Sequence, residues 1–195
     1  MGVLKRKILI QLVLLLVAFI AGIVFAPFFR ETAYQLRDWI GKPEPRPASE
    51  KVVTLYFSTP EGEKLAPLER KIWVKEENVN SQIKAVIQEL IKGPETKSFA
   101  PTLPSETGIK AVYTREDVIY IDFSSSLVEK HPGGTLGELI TVYSVVNTLL
   151  KNFPDYSRVQ ILIEGRSSHT LAGHIDIRGP LKENREIIKS PVMQQ

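Results

Sequence analysis

No cysteine occurs in the 195 residues. That absence excludes a disulfide framework, a CxxC zinc site, a thiol nucleophile and acylation of a lipoprotein cysteine, and it leaves the compartment open. An excess of one charge is equally missing: 25 Lys and Arg face 22 Asp and Glu, and Lys5, Arg6 and Lys7 supply the whole difference. A nucleic-acid-binding domain needs clustered, uncompensated basic residues to displace counterions from phosphates. No nucleic-acid partner is therefore expected. There is no G-x-S-x-G nucleophile elbow and no H-E-x-x-H helix, which removes the best-specified hydrolase and zinc signatures. The length suits one domain with appendages rather than two full domains.

What is present begins with an apolar run. From Ile8 to Phe29 every residue is apolar or small except Gln11, 22 residues in all. At 1.5 Å per residue a helix of that length crosses the roughly 30 Å hydrocarbon core of a bilayer. A cleaved signal peptide has a shorter apolar region and a small-x-small site. Val24-Phe25-Ala26-Pro27 is a poor such site. The expectation is an uncleaved transmembrane helix over 8–29, with residues 1–7 as a cytoplasmic basic flank and the rest extracytoplasmic, since positive residues beside a first span stay in the cytoplasm. Arg30 to Ile40 suits either a short interfacial helix anchored by Tyr34 and Trp39 or continuation of the span. Pro43, Pro45 and Pro47 make a stiff spacer. Residues 30–51 thus read as juxtamembrane segment and linker, 52–181 as the folded domain, and 182–195 as a polar tail.

Within the domain, Val52–Ser58 is a β-branched and aromatic strand stopped by Thr59-Pro60-Glu61-Gly62. Leu65–Val74 is a weaker strand whose Pro67 favours an edge. Val79, Ile83, Val86, Ile87, Leu90 and Ile91 recur at helical spacing, with Asn78 or Asn80 as cap and Gly93-Pro94 as terminator. Ile109–Thr114 and Val118–Phe123 flank Arg115-Glu116-Asp117 as a hairpin, and Ser157–Glu164 is a further strand. Between them Thr135-x-x-Glu138 reads as a capping box opening a helix to about Phe153. On its wheel Thr141, Ser144, Thr148 and Lys151 form one polar stripe against a broad apolar side. Ile175–Ile177 reads as a short edge strand. The order argues for an α+β fold, a mixed β-sheet with two helices packed on one face, preceded by one transmembrane helix.

The motifs Leu55-Tyr56-Phe57, Ile91-Lys92-Gly93-Pro94, Leu103-Pro104 with Gly108, Tyr120-Ile121-Asp122-Phe123-Ser124, Gly133-Gly134-x-x-x-Glu138, Tyr143-x-x-Val146-Asn147-Thr148-Leu149, Val159 to Gly165 including Glu164, and Gly173-His174 follow one another. In this order they resemble the GerMN domain family over about Val52 to Leu181. The resemblance implies an extracytoplasmic, membrane-tethered, non-catalytic domain of sporulation and germination proteins. It also implies a two-layer fold similar to ring-building modules, acting through a protein partner or self-association and needing no cofactor. Members are typically lipid-anchored and carry the domain in tandem; this chain has no cysteine and one copy.

Taken residue by residue, Ser167, Ser168, His169, His174 and Asp176 have the types of a hydrolytic triad or metal set, yet a Ser/Gly-rich loop does not preset either geometry. Gly133 and Gly134 open a helix without the lysine of a phosphate loop. Asp122 is expected to cap the Ser124–Ser126 turn. Asn147, at the apolar edge of its helix, is expected to bond a neighbouring loop, because an unpaired buried amide costs about 1–3 kcal/mol. The reading is a non-enzymatic assembly domain in the envelope, with a small-ligand or wall-fragment binding module as the alternative.

Overall fold

The computed structural model describes residues 11–26, 49–74 and 78–189. They belong to two compact units, Met1–Arg46 and Pro47–Gln195. In the first, residues 11–26 form helix α1, whose large apolar side chains are exposed. No helix among the described residues is long and apolar enough to cross a membrane. The expected span of 8–29 runs past the described part of α1 at both ends, and the basic flank, the 30–40 segment and the proline spacer also lie outside the described residues.

The second unit has the order β1 (Ser49–Ser58), β2 (Leu65–Val74), α2 (Val79–Lys92), β3 (Ile109–Arg115), β4 (Val118–Phe123), α3 (Ser126–Glu129), α4 (Thr135–Asn152), β5 (Arg158–Ile163) and β6 (Arg166–Ser167). The strands divide into two sheets, β1-β2 and β3-β4-β5-β6, where a single mixed sheet was expected. In the larger sheet β4 pairs antiparallel with β3 and parallel with β5. That central place explains why β4 reads as a nearly continuous apolar run.

The division has a physical cause in α4. Asn78 caps α2 as expected, accepting from Asn80 N at 2.8 Å, but α4 uses its polar residues sideways. Thr54 N donates to Asn152 Oδ1 at 2.9 Å, Asn152 Nδ2 donates to Thr54 O at 2.7 Å, and Tyr56 N donates to Thr148 Oγ1 at 3.0 Å. Four helical residues rise about 6 Å and two strand residues about 6.8 Å. Thr148 and Asn152 therefore meet successive outward groups of β1, and Ala100 pairs with Ser58 further along. Thr141, Ser144 and Thr148 of the stripe are buried, and Thr148 occupies the β1 edge where another strand would add.

One core joins Leu55 and Phe57 of β1, Ile83, Ile87 and Leu90 of α2, Ile119, Ile121 and Phe123 of β4, Val142, Val146 and Leu149 of α4, and Ile161 of β5. Burial of each such side chain contributes roughly 1.5–3 kcal/mol. Tyr56 and Leu65 face the other side of the first hairpin and pack with Ile140 and Ile187. Arg70, on the core side, donates to Glu89 O and Gly93 O, holding the end of α2, and its guanidinium lies 5.8 Å from the Phe57 ring centre.

Three further expectations are corrected. Gly134, with φ 83°, is the cap of α4 and makes no side-chain cap bond, so Thr135 is already helical and no capping box forms. Ile175–Ile177 is not a strand. The Ile177 side chain is buried, its carbonyl accepts from Gln160 Nε2, and the free side of β5 pairs with Leu181. Finally, the segment from Lys182 is not a loose tail as far as Lys189. Leu65 N donates to Ile187 O at 2.8 Å, Lys189 N donates to Leu65 O at 2.7 Å, and Ile187 is buried.

Candidate functional site

The residues singled out in the sequence gather at three places. Gly133, Gly134, Glu138 and His174 meet at the start of α4. Glu138 is fully buried, and its two carboxylate oxygens accept from Leu171 N at 2.7 Å and His174 N at 2.8 Å. Burial alone would raise this carboxyl, but the surrounding amides of Ala172, His174, Leu171 and Ile175 outweigh it and hold it below its ordinary value. A carboxylate so placed shapes the 168–177 loop, and Gly173, at φ 102°, supplies the turn that L side chains resist.

Asp122 and Glu164 meet at the ends of β4 and β5. Asp122 Oδ1 accepts from Gly165 N at 2.8 Å instead of capping the Ser124–Ser126 turn. That turn is held by Glu164, whose Oε1 accepts from Ser125 N at 2.9 Å while Oε2 pairs with the Lys110 ammonium. Lys110 and then the Ser125 amide hold the Glu164 carboxyl below its ordinary value. Glu164 makes these contacts from a left-handed backbone conformation, φ 52°, just past the end of β5. Asn147 stands at the third place: Nδ2 donates to Asn184 O at 2.8 Å and Oδ1 accepts from Asn184 N at 3.0 Å. This is the loop contact expected of it.

The triad-type residues are not assembled into one. Ser167 Oγ donates to Arg178 O and Ser168 Oγ to Thr170 O. The Asp176 carboxylate is taken by the Arg178 guanidinium and backbone N–H, which hold it far below the usual carboxylate range. Among the described residues no group of three or more His, Asp or Glu is placed to hold a metal ion.

His131 was missed by the sequence reading. Its Nδ1 accepts from Gly133 N at 2.9 Å, so the tautomer assigned by the network carries its proton on Nε2, 3.0 Å from Thr141 Oγ1. Thr141 Oγ1 in turn donates to Thr102 O at 2.7 Å. Burial lowers the imidazole pKa, with Glu138 opposing. The available signal was His131 two residues before a glycine pair at a helix start. Thr102, Thr141, Lys130, Pro101 and Gly137 line a cleft of about 340 Å³ beside this relay.

Taken together, these contacts define an α+β domain of two sheets whose buried polar side chains hold loops and strand edges. The family model described as Germane, sporulation and spore germination, matches residues 54–169, and the chain belongs to that family. The tandem GerMN domains of the sporulation protein GerM from Bacillus subtilis share the fold at TM-score 0.55 and 19% identity, covering 76% of this chain and 50% of that one. The first GerMN domain of the same protein aligns at TM-score 0.50 and 18% identity, covering 70% and 98%. Comparison with curated proteins finds no significant match. The family match stops at His169, so the loop gripped by Glu138 and the segment held by Asn147 lie beyond it.

Proposed function

We propose that this chain is a single-pass protein of the bacterial cytoplasmic membrane whose GerMN-type domain lies outside the cytoplasm and acts by association, with another protein or itself, without chemistry of its own. Membership of a sporulation and germination family supports the envelope role. The apolar run of 8–29 behind Lys5-Arg6-Lys7 supports the tether and its orientation.

The observation that carries the association is β3. It is the end strand of the four-stranded sheet, and among the described residues its outer backbone groups have no partner. A neighbouring chain completes such an edge by adding a strand. Beside it Tyr113 stacks on Tyr120, ring centres 4.8 Å apart, with Tyr113 exposed. Of the edges expected earlier, Ile175–Ile177 is not a strand; β2 is an edge, bridged by Ile188 at Leu65 and without a donor at Pro67, and open beyond that beside the exposed Trp73. Tethered copies share a surface at raised effective concentration, so weak edge contacts suffice.

Two measurements test the reading. Protease added to intact spheroplasts removes the domain; a full-length survivor refutes the topology. Antiparallel pairing of two β3 edges about Val112 sets residue 110 opposite 114, so Lys110→Cys with Thr114→Cys, in a chain with no native cysteine, gives a disulfide-linked species in membranes. Absence of that species and of any protein crosslinked at these positions refutes the β3 edge. The ligand-binding alternative draws on the 340 Å³ cleft at Thr102, and it gains if a small molecule stabilises the protein while no edge contact forms.

A further inference from the structure

A second cleft, of about 630 Å³, lies where the last turn of α4 meets the returning segment 182–189. Tyr56, Lys151, Glu183, Arg185 and Lys189 contribute to its walls. The backbone beneath them is firmly placed. Tyr56 is a β1 residue packed on Ile140 and Ile187. The 182–189 segment is pinned at one end by Asn147 on Asn184 and at the other by Ile187 and Lys189 on Leu65. Three cations and one carboxylate thus converge by construction of the fold.

Their pairing is incomplete. Arg185 donates through Nε to Glu183 Oε2 at 2.8 Å, and its terminal nitrogens have no partner among the described residues. The ammonium groups of Lys151 and Lys189 likewise make neither a hydrogen bond nor an ion pair there, although Lys189 feels the charge of Glu61. Elsewhere Arg70, Lys71, Lys92, Lys110, Arg158 and Arg178 each hold a carboxylate, while Lys84, Lys97 and Lys130 hold none among the described residues; what sets the cleft apart is that Lys151, Arg185 and Lys189 line one concavity. Lys151 offsets the C-terminal end of the α4 dipole, but that role leaves Arg185 and Lys189 unaccounted for. The cleft is rich in donors, and its one carboxylate is engaged through Oε2. Such a wall suits a ligand of several anionic oxygens, which two ammonium groups, a guanidinium and a phenol can serve together. A lone carboxylate would leave most of these donors in water.

We infer that this cleft is a binding site for phosphoryl groups, either free oligophosphate or the phosphodiester headgroup of an anionic lipid. The site goes beyond the association reading and does not depend on it, since the two use different faces and different residues. The volume admits more than one phosphoryl group.

The test is isothermal titration of the full chain in non-ionic detergent at 0.15 M salt, with tripolyphosphate in one arm and glycerophosphoglycerol, the soluble lipid headgroup, in the other. Lys151→Gln with Lys189→Gln is compared with Lys84→Gln and Lys97→Gln, which removes the same net charge elsewhere. The cleft pair is expected to weaken tripolyphosphate binding at least ~10-fold and the control pair less than about twofold, since each lost charge-assisted contact is worth about a factor of ten or more. Tighter binding of glycerophosphoglycerol, lost in the same cleft pair, also supports the site and assigns the lipid source. Equal weakening by both pairs, or binding of neither probe below about 1 mM, overturns it. Thermal melts of all variants distinguish loss of binding from loss of fold.

Discussion

Replacing Glu138 by Gln separates two accounts of the same residue. In a capping box Gln serves nearly as well as Glu, and the substitution would cost well under ~1 kcal/mol. In the structure the carboxylate is fully buried and each oxygen accepts a backbone N–H, from Leu171 and His174. An amide has one oxygen, so whichever way Gln turns, its NH2 group faces one of those donors. One charge-assisted bond, about 1.5–3 kcal/mol, is lost and a buried N–H is left unsatisfied, a further cost of about 1–3 kcal/mol; partial relaxation of the loop brings the total to about 3 kcal/mol. For a chain of this size that lowers Tm by roughly 10 °C. Calorimetry gives the shift, and hydrogen exchange at the Leu171 and His174 amides localises it. A Tm change under about 3 °C with unchanged exchange at both amides would refute the reasoning and restore the cap. The pH dependence follows from the same contacts. Because the folded-state pKa is depressed from its ordinary 4.5, the stabilisation is complete above that value and disappears as pH falls through the folded pKa. Glu138→Gln removes this component of acid sensitivity.

Asn147→Ala removes both bonds to Asn184 and is expected to cost about 2 kcal/mol, and limited proteolysis should then cut within 182–189 first. Asn152→Ala strips Thr54 of two partners on the β1 edge; a loss of about 2 kcal/mol and faster aggregation on heating are expected, since an opened strand edge recruits other chains. The half-buried His131 has a lowered pKa, so its contribution is present above its ordinary 6.5 and is lost as pH falls through the folded value; His131→Gln should flatten stability between pH 7 and 5, and an unchanged profile counts against the relay. Asp117, held down to about 2 by the Arg158 guanidinium and the Ser157 hydroxyl, keeps its contribution above 3.8 and loses it as pH approaches 2, which Asp117→Asn tests by removing that acid phase from urea melts.

The family motifs that lie far apart along the chain meet because one side chain closes each gap. Gly133-Gly134-x-x-x-Glu138 and Gly173-His174 are a single feature in space, joined by the Glu138 carboxylate on the His174 amide. Periodicity located α2, α4 and the strands well, because burying an apolar face requires a repeat of 3.6 or 2 residues whatever the partner is. It was silent on what the polar residues do. T-x-x-E satisfies a local pattern, but the positive φ of Gly134 had already moved the cap one residue earlier, which freed Glu138 to point at a loop 33 residues on. Asp122 was misread for a similar reason. A carboxylate beside Ser124–Ser126 looks like a turn cap until the parallel pairing of β5 brings Gly165 within its reach.

The α4 stripe carries the same lesson to the level of architecture. On the wheel Thr141, Ser144 and Thr148 read as a polar stripe, which says nothing of what the stripe bonds. A stripe of hydroxyl and amide groups at i, i+4 spacing is, however, also what a helix needs to satisfy a strand edge. Thr148 and Asn152 do so at Tyr56 and Thr54, and α4 rather than another strand therefore closes β1. With the 54–58 part of β1 and the Leu65 end of β2 closed in this way, the edges still open beside an exposed aromatic are β3, next to Tyr113, and the rest of β2, next to Trp73. How α4 spends its polar residues thus takes this part of β1 out of the set of edges open to association. Thr148→Val, which leaves Tyr56 N without an acceptor at a cost of about 1–3 kcal/mol, should shift crosslinking from β3 towards β1; if β3 crosslinks persist unchanged and none form at β1, the two edges are not in competition.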